Sequence, residues 1–247
     1  MGEIEIGVSV ISLLPESWGA AGLLRAGEIA KRLGLSLQLN PIIGYRAGAA
    51  AALAASGAKV VSIEYGSWAA TPGELMRKAG RGDVGAVASP LLFGIGRAEH
   101  SYNELRIQFP NALEIDHPKW HEGRGLIEVS PNDYPTLREN DFLNAKAVVF
   151  DTWHVREQPA VTHDPMVFAR KLLQKGNIKL IHAQTRNATE LANFCAGVPT
   201  QLGSLLKAVL PAKVPVIIEL DPRQVKADYR MIESMRDRSI AIAATIP

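Results

Sequence analysis

Residues Ala147–Val155 read AVVFDTWHV, and the fold of the whole chain follows from how that stretch is read. Val148, Val149 and Phe150 have the length and β-branched content of a buried strand. The apolar run stops at Asp151, and His154 follows on the turn beyond it. A carboxylate at the exit of a buried strand, with an imidazole just past it, is how a parallel α/β barrel presents polar groups at the C-terminal mouth of its sheet. Three further apolar runs end the same way: LIEVSP carries Glu128, IKLIHAQ carries His182 and VPVIIELDP carries Glu219. Two Glu, one Asp and one His from four strands form an oxygen-rich set with a single imidazole. Such a set suits one divalent cation, Mn2+, Mg2+, Co2+ or Zn2+.

Outward from that stretch the chain alternates strand and helix. On the N-terminal side, Ile4–Ile11, Leu35–Pro41 and Lys59–Tyr65 read as strands one to three, separated by helical patterns over Trp18–Leu33 and the Ala-rich Arg46–Ser56. Thr71-Pro72-Gly73-Glu74 has the form of a helix start, and Asp83–Ser89 reads as a weaker fourth strand. Ser101–Phe109 suits a helix, and Asn111–His117 a short extra strand or a loop. These lie in an irregular segment at about 94–124, with His117, Trp120 and His121, expected to cover part of one barrel end. Beyond it, Gly125–Ser130, Lys146–Asp151, Ile178–Gln184 and Val214–Leu220 read as strands five to eight. Helices are expected over Leu137–Asn144, His163–Lys175, Thr200–Val209 and Arg223–Arg238. Eight strands, seven followed by helical patterns, predict a (β/α)8 TIM barrel forming a single domain over residues 1–247. The apolar tail Ser239–Pro247 is expected to lie on the body or on a partner chain, which would make a homo-oligomer.

Composition narrows the function classes. The chain of 247 residues is 47% hydrophobic and 21% charged, ordinary for a globular protein and far from the disordered class. A formal net charge of +2 offers no concentrated positive field, so no nucleic-acid partner is expected. One cysteine, Cys195, excludes an internal disulfide and a thiolate metal cage. No secretory signal or membrane span is read, and a cytoplasmic location is expected. Gly94-Ile95-Gly96 lacks the third glycine and the preceding strand that dinucleotide binding requires.

A lone carboxylate at a strand end is more often a solvated loop group, and a lone His more often a hydrogen-bonded structural one. Four in equivalent positions weigh more. Three carboxylates gathered without a cation would raise one another's pKa values, whereas a divalent ion favours all three ionised. His154 falls just above such a centre, and Arg186, four after His182, is placed to steady a substrate. Glu64 at the end of strand three is a further candidate, weighed against pairing with a neighbouring Arg or Lys. Trp153, like Trp18, Trp68 and Trp120, is placed where an aromatic ring can wall a sugar-sized pocket.

From EIAKRLGLSLQLNP through VVFDTWHV and IKLIHAQ to VIIEL, the chain resembles the xylose isomerase-like barrel superfamily, sugar phosphate isomerases and epimerases among them. The Asp-x-x-His of Asp151 and His154, combined with His182 and Glu219, is the most specific part of the likeness. The resemblance implies Glu128, Asp151, His182 and Glu219 as ligands of one divalent metal. It also implies Glu128 and Glu219 as proton-transfer groups on opposite faces of a small carbohydrate, working through a cis-enediolate, with His154 and Arg186 binding hydroxyls. Glu64 stands where many members have His, and no Asp-x-His pair lies between His182 and Glu219. Both departures count against the alternative of a metal-dependent phosphoesterase or endonuclease. A degenerate barrel that binds a sugar without turnover is the non-enzymatic alternative.

Overall fold

A computed structural model describes residues 4–13, 22–40, 48–64, 103–116, 126–129, 137–157, 164–221, 224–225 and 228–246. Eight strands close into one parallel barrel in sequence order. They are β1 (Ile6–Ser9), β2 (Ser36–Leu39), β3 (Val60–Glu64), β4 (Leu113–Asp116), β5 (Leu126–Glu128), β6 (Val148–Asp151), β7 (Ile178–Gln184) and β8 (Val216–Glu219). Between and after them run α1 (Gly22–Arg32), α2 (Ala49–Ala55), α3 (Glu139–Asn144), α4 (Pro165–Lys175), α5 (Ala188–Cys195), α6 (Gln201–Val209) and α7 (Arg230–Ala243). No helix among the described residues is long and apolar enough to cross a membrane.

Local chemistry explains the helix boundaries. Asp164 caps α4 by accepting from the Met166 and Val167 amides at 2.8 and 3.1 Å, Pro165 fills the first turn, and Gly176 ends the helix in the left-handed region at φ 70°. Thr200 caps α6 through the Gly203 amide. An eight-residue helix beyond those expected, α5, has its start written in the cap Asn187 and the acidic Glu190 three residues on.

Two expectations are corrected. The fourth barrel strand is Leu113–Asp116, because it pairs with β3 on one side and β5 on the other and leaves no slot for another strand. Asp83–Ser89, like the helix start at 71–74, lies outside the described residues. The segment at about 94–124 is therefore not merely a cover: it contributes a helical stretch over 103–108 and a strand of the barrel wall. At the other end, the last helix begins at Arg230 and runs through Ser239 to Ala243, so most of the expected tail is helical. Ile232, Met235, Ser239 and Ile242 share its buried face at helical spacing.

The period of two along β5 to β8 sorts the side chains into two layers. Ile127, Phe150, Ile181 and Ile218 pack outward against the helices in the main core. Leu126, Val149, Leu180 and Ile217 belong to a separate apolar cluster inside the barrel. Each precedes by two residues the polar group at its strand's exit: Glu128, Asp151, His182 and Glu219. An apolar floor thus lies directly beneath a polar ring.

Gly7 on β1 faces that floor, where an added Cβ would meet Ile217 Cδ1 at 2.7 Å, Ser36 Oγ at 2.8 Å and the Ser36 carbonyl at 3.1 Å. Gly7→Val is expected to destabilise the protein by about 1–3 kcal/mol through overpacking, read as a lower urea midpoint at unchanged slope.

Candidate metal centre

Two register irregularities aim the ring. Between β6 and β7 the pairing steps from Val148↔Ile178 to Val149↔Leu180, so Asp151 meets His182. Without the extra residue Asp151 would stand opposite Ile181, whose side chain faces the helices. Between β2 and β3 the step from Leu37↔Val60 to Gln38↔Ser62 brings two inward polar groups together in the same way.

The result is a fully buried imidazole ringed by carboxylates. From His182 Nδ1, Glu128 Oε1 lies at 3.2 Å, Glu219 Oε2 at 3.4 Å and Asp151 Oδ2 at 3.6 Å. The other ring nitrogen, Nε2, is 2.9 Å from Gln38 Oε1. Asp151 Oδ1 accepts the Trp153 and His154 amides, both at 2.7 Å, which fixes the carboxylate and folds the chain back over the ring. That leaves Asp151 Oδ2 buried with no hydrogen bond of ordinary length, its near cationic neighbour being His182 Nδ1 at 3.6 Å, so a closer cation would answer it better. Ligand atoms of Glu64, His182 and Glu219 fall within 4.8 Å of one another, as do those of Glu128, Asp151 and His154.

The electrostatics follow from this crowding. Burial, joined by the charges of Glu128 and Asp151, pushes Glu219 up to about 7 against the pull of His182 and His154. Burial also opposes charge on His182, but Asp151, Glu128 and Glu219 outweigh it and hold the imidazole proton well above the ordinary histidine range. For Asp151, burial is outweighed by His154 and His182, and the carboxyl stays below its usual value. His154 is raised despite burial by Asp151, Glu128 and Glu219, with Arg186 acting against them. One imidazole nitrogen with three carboxylate oxygens within 3.6 Å of it is a donor set of the kind a hard or borderline divalent cation takes, with positions left open. The residues present fit the group.

The structure brings Glu128, Asp151, His182 and Glu219 together and sets His154 beside them, its Nδ1 3.2 Å from Glu157 Oε2. Glu64 reaches the ring through Gln38, whose Nε2 donates to Glu64 Oε2 at 2.8 Å. Trp153 carries the Arg156 guanidinium 4.9 Å over its ring and lines a neighbouring groove with Glu157 and Asn187. Arg186 is exposed at the rim.

Sequence reasoning passed over the polar groups that hold this arrangement. Thr152 cross-links β6 to β7, donating from Oγ1 to the Gln184 carbonyl at 2.8 Å and accepting from the Gln184 amide at 2.9 Å. Arg156 donates from Nε to the Thr152 carbonyl and from Nη1 to both oxygens of Glu190. Glu190 also accepts from the Thr185 hydroxyl and the Leu202 amide. The signal for Glu190 was its place three residues after a capping Asn; for Arg156 and Thr152 there was none beyond proximity to Asp151. No family model and no curated protein matches the chain.

Because the folded value of Glu219 lies above its ordinary 4.5, its contribution to stability is complete below about 4.5 and is lost as pH rises through about 7. His182 acts in the same direction. The metal-free protein is therefore expected to melt lower at about pH 8 than at about pH 6; a cation held by these groups would take the place of those protons, so the gain from added Mn2+ is expected to be larger at the higher pH. Scanning calorimetry of the parent and Glu219→Gln checks this, the variant showing the flatter profile. Separately, Glu190→Ala leaves Arg156, with only 11% of its side chain exposed, as an unpaired buried charge. A loss of about 3–5 kcal/mol is expected in chemical unfolding.

Proposed function

We propose that the protein is a (β/α)8 TIM-barrel enzyme of the xylose isomerase-like kind, a divalent-metal-dependent isomerase or epimerase of a sugar or sugar phosphate. The observation that carries this reading is the placement of Glu128, Glu219 and Asp151 oxygens within 3.6 Å of one buried nitrogen, His182 Nδ1. Glu128, Asp151, His182 and Glu219 would hold the ion. When bound, it supplies positive charge to a substrate carbonyl and to the oxygen beside it, lowering the cost of removing the proton between them.

The chain's own groups do the rest. Glu128 and Glu219 enter from β5 and β8, on either side of the β6 and β7 exits that bring in Asp151 and His182. One carboxylate removes the α-proton from one face of the substrate and the other returns a proton to the opposite face. His154 and Arg186 orient substrate hydroxyls, and Trp153 walls the approach. The apolar floor of Leu126, Val149, Leu180 and Ile217 excludes water from below, strengthening each charge–dipole interaction above it.

The test is solvent-proton exchange into ketoses in deuterated buffer, run alongside metal content by mass spectrometry. The parent is expected to retain about one divalent ion per chain, or to be stabilised by added Mn2+ or Mg2+, and to wash deuterium into the α-carbon of a ketose. His182→Ala should lose the ion. Glu128→Gln and Glu219→Gln should cut exchange by about 10²–10⁴-fold. A parent that neither retains nor responds to any divalent ion would sink the proposal.

A further inference from the structure

Gln38 is fully buried, yet the expected site does not use it. Its amide touches three groups: Nε2 donates to Glu64 Oε2 at 2.8 Å, while Oε1 accepts from Ser62 Oγ at 2.9 Å and lies 2.9 Å from His182 Nε2. The amide has only one sensible orientation. Turned over, its oxygen would confront the Glu64 carboxylate and its NH2 would lose that acceptor. Because Oε1 can only accept, the His182 nitrogen facing it must carry a proton. The other nitrogen, Nδ1, then turns its lone pair toward Glu128, Asp151 and Glu219 whenever the ring is neutral.

We infer that Gln38, anchored by Glu64 and Ser62, is a positioning residue that keeps the His182 proton on Nε2 and so reserves Nδ1 for a cation. The inference rests on the metal reading above. The opposite tautomer would direct an N–H at the carboxylates and close the ring as a hydrogen-bonded cluster with no ligand nitrogen. Hydrogen bonds of this kind, from the far nitrogen of a ligand imidazole, fix ring orientation and raise ligand basicity. Glu64 acts at one remove, through the amide it orients, and its place at the exit of β3 is accounted for without contact to substrate.

The experiment is nitrogen NMR of the histidine ring in the whole protein, without metal and loaded with Zn2+, combined with competition titration of Zn2+ and Mn2+. In the parent, Zn2+ is expected to remove the Nδ1 proton alone, leaving a slowly exchanging Nε2–H. Gln38→Met, close in size but with only the weak acceptor of a thioether, should bind either ion about 10–100-fold more weakly and expose Nε2–H to rapid exchange. Gln38→Glu, which keeps an oxygen facing Nε2, should retain the protected proton. A parent ring that binds Zn2+ through Nε2 overturns the inference even if the variants do not fold. So does a folded Gln38→Met protein with unchanged affinity and ring assignment. A parent that takes up no cation counts against the metal reading instead. In that case, a protected Nε2–H present in the parent and lost in Gln38→Met still upholds the orienting contact.

Discussion

Three carboxylates forced around one buried imidazole are the constraint from which the rest of the protein can be understood. Glu128, Asp151 and Glu219 repel one another in a place where water screens them little. An open sheet or a loop cluster would relax by letting one of them swing to solvent. A closed parallel barrel does not allow that, because each group is fixed at a strand exit and each strand is paired on both sides. The backbone amides of Trp153 and His154 hold Asp151, and the apolar row beneath blocks retreat downward. The strain is thus contained by the fold and left available to whatever positive charge enters.

Much of this was legible in the sequence, because a short β-branched run that breaks off at a charged group fits few places besides a buried strand leading to a polar mouth. VVFD, IKLIHAQ and VIIE announced their strands through β-branched runs and their polar ends by abrupt contrast. The expectation failed where the pattern was weak. LEID follows a Pro-Asn turn and carries two carboxylates in four residues, so it reads as a short extra strand or a loop, while the smoother DVGAVAS fits strand four better. Small residues can satisfy a strand pattern without committing to one. The final helix runs past its expected end: SIAIA changes from charged to apolar, while Ser239 and Ile242 continue the buried face already begun at Ile232 and Met235.

The candidate site shows a similar division. Residue type and strand position identify Glu128, Asp151, His182 and Glu219. They do not reveal the two extra residues in β7 and β3 that bring Asp151 opposite His182 and Gln38 opposite Ser62. A bulge has no reliable mark in a single sequence, since its cause is the fit between two strands distant in the chain. For the same reason Gln38, 144 positions from the histidine it contacts, could be seen only as a polar residue in an alternating strand.

The apolar row under the ring also bears on access. Leu126, Val149, Leu180 and Ile217 fill the barrel below the carboxylates, so among the described residues the polar ring opens on the side where the strands end. If the ring holds an ion as proposed, that ion would sit deeper than any molecule stacked above it and would have to arrive first and leave last. The filled floor would then impose ordered rather than random binding, independent of the strength of any individual contact.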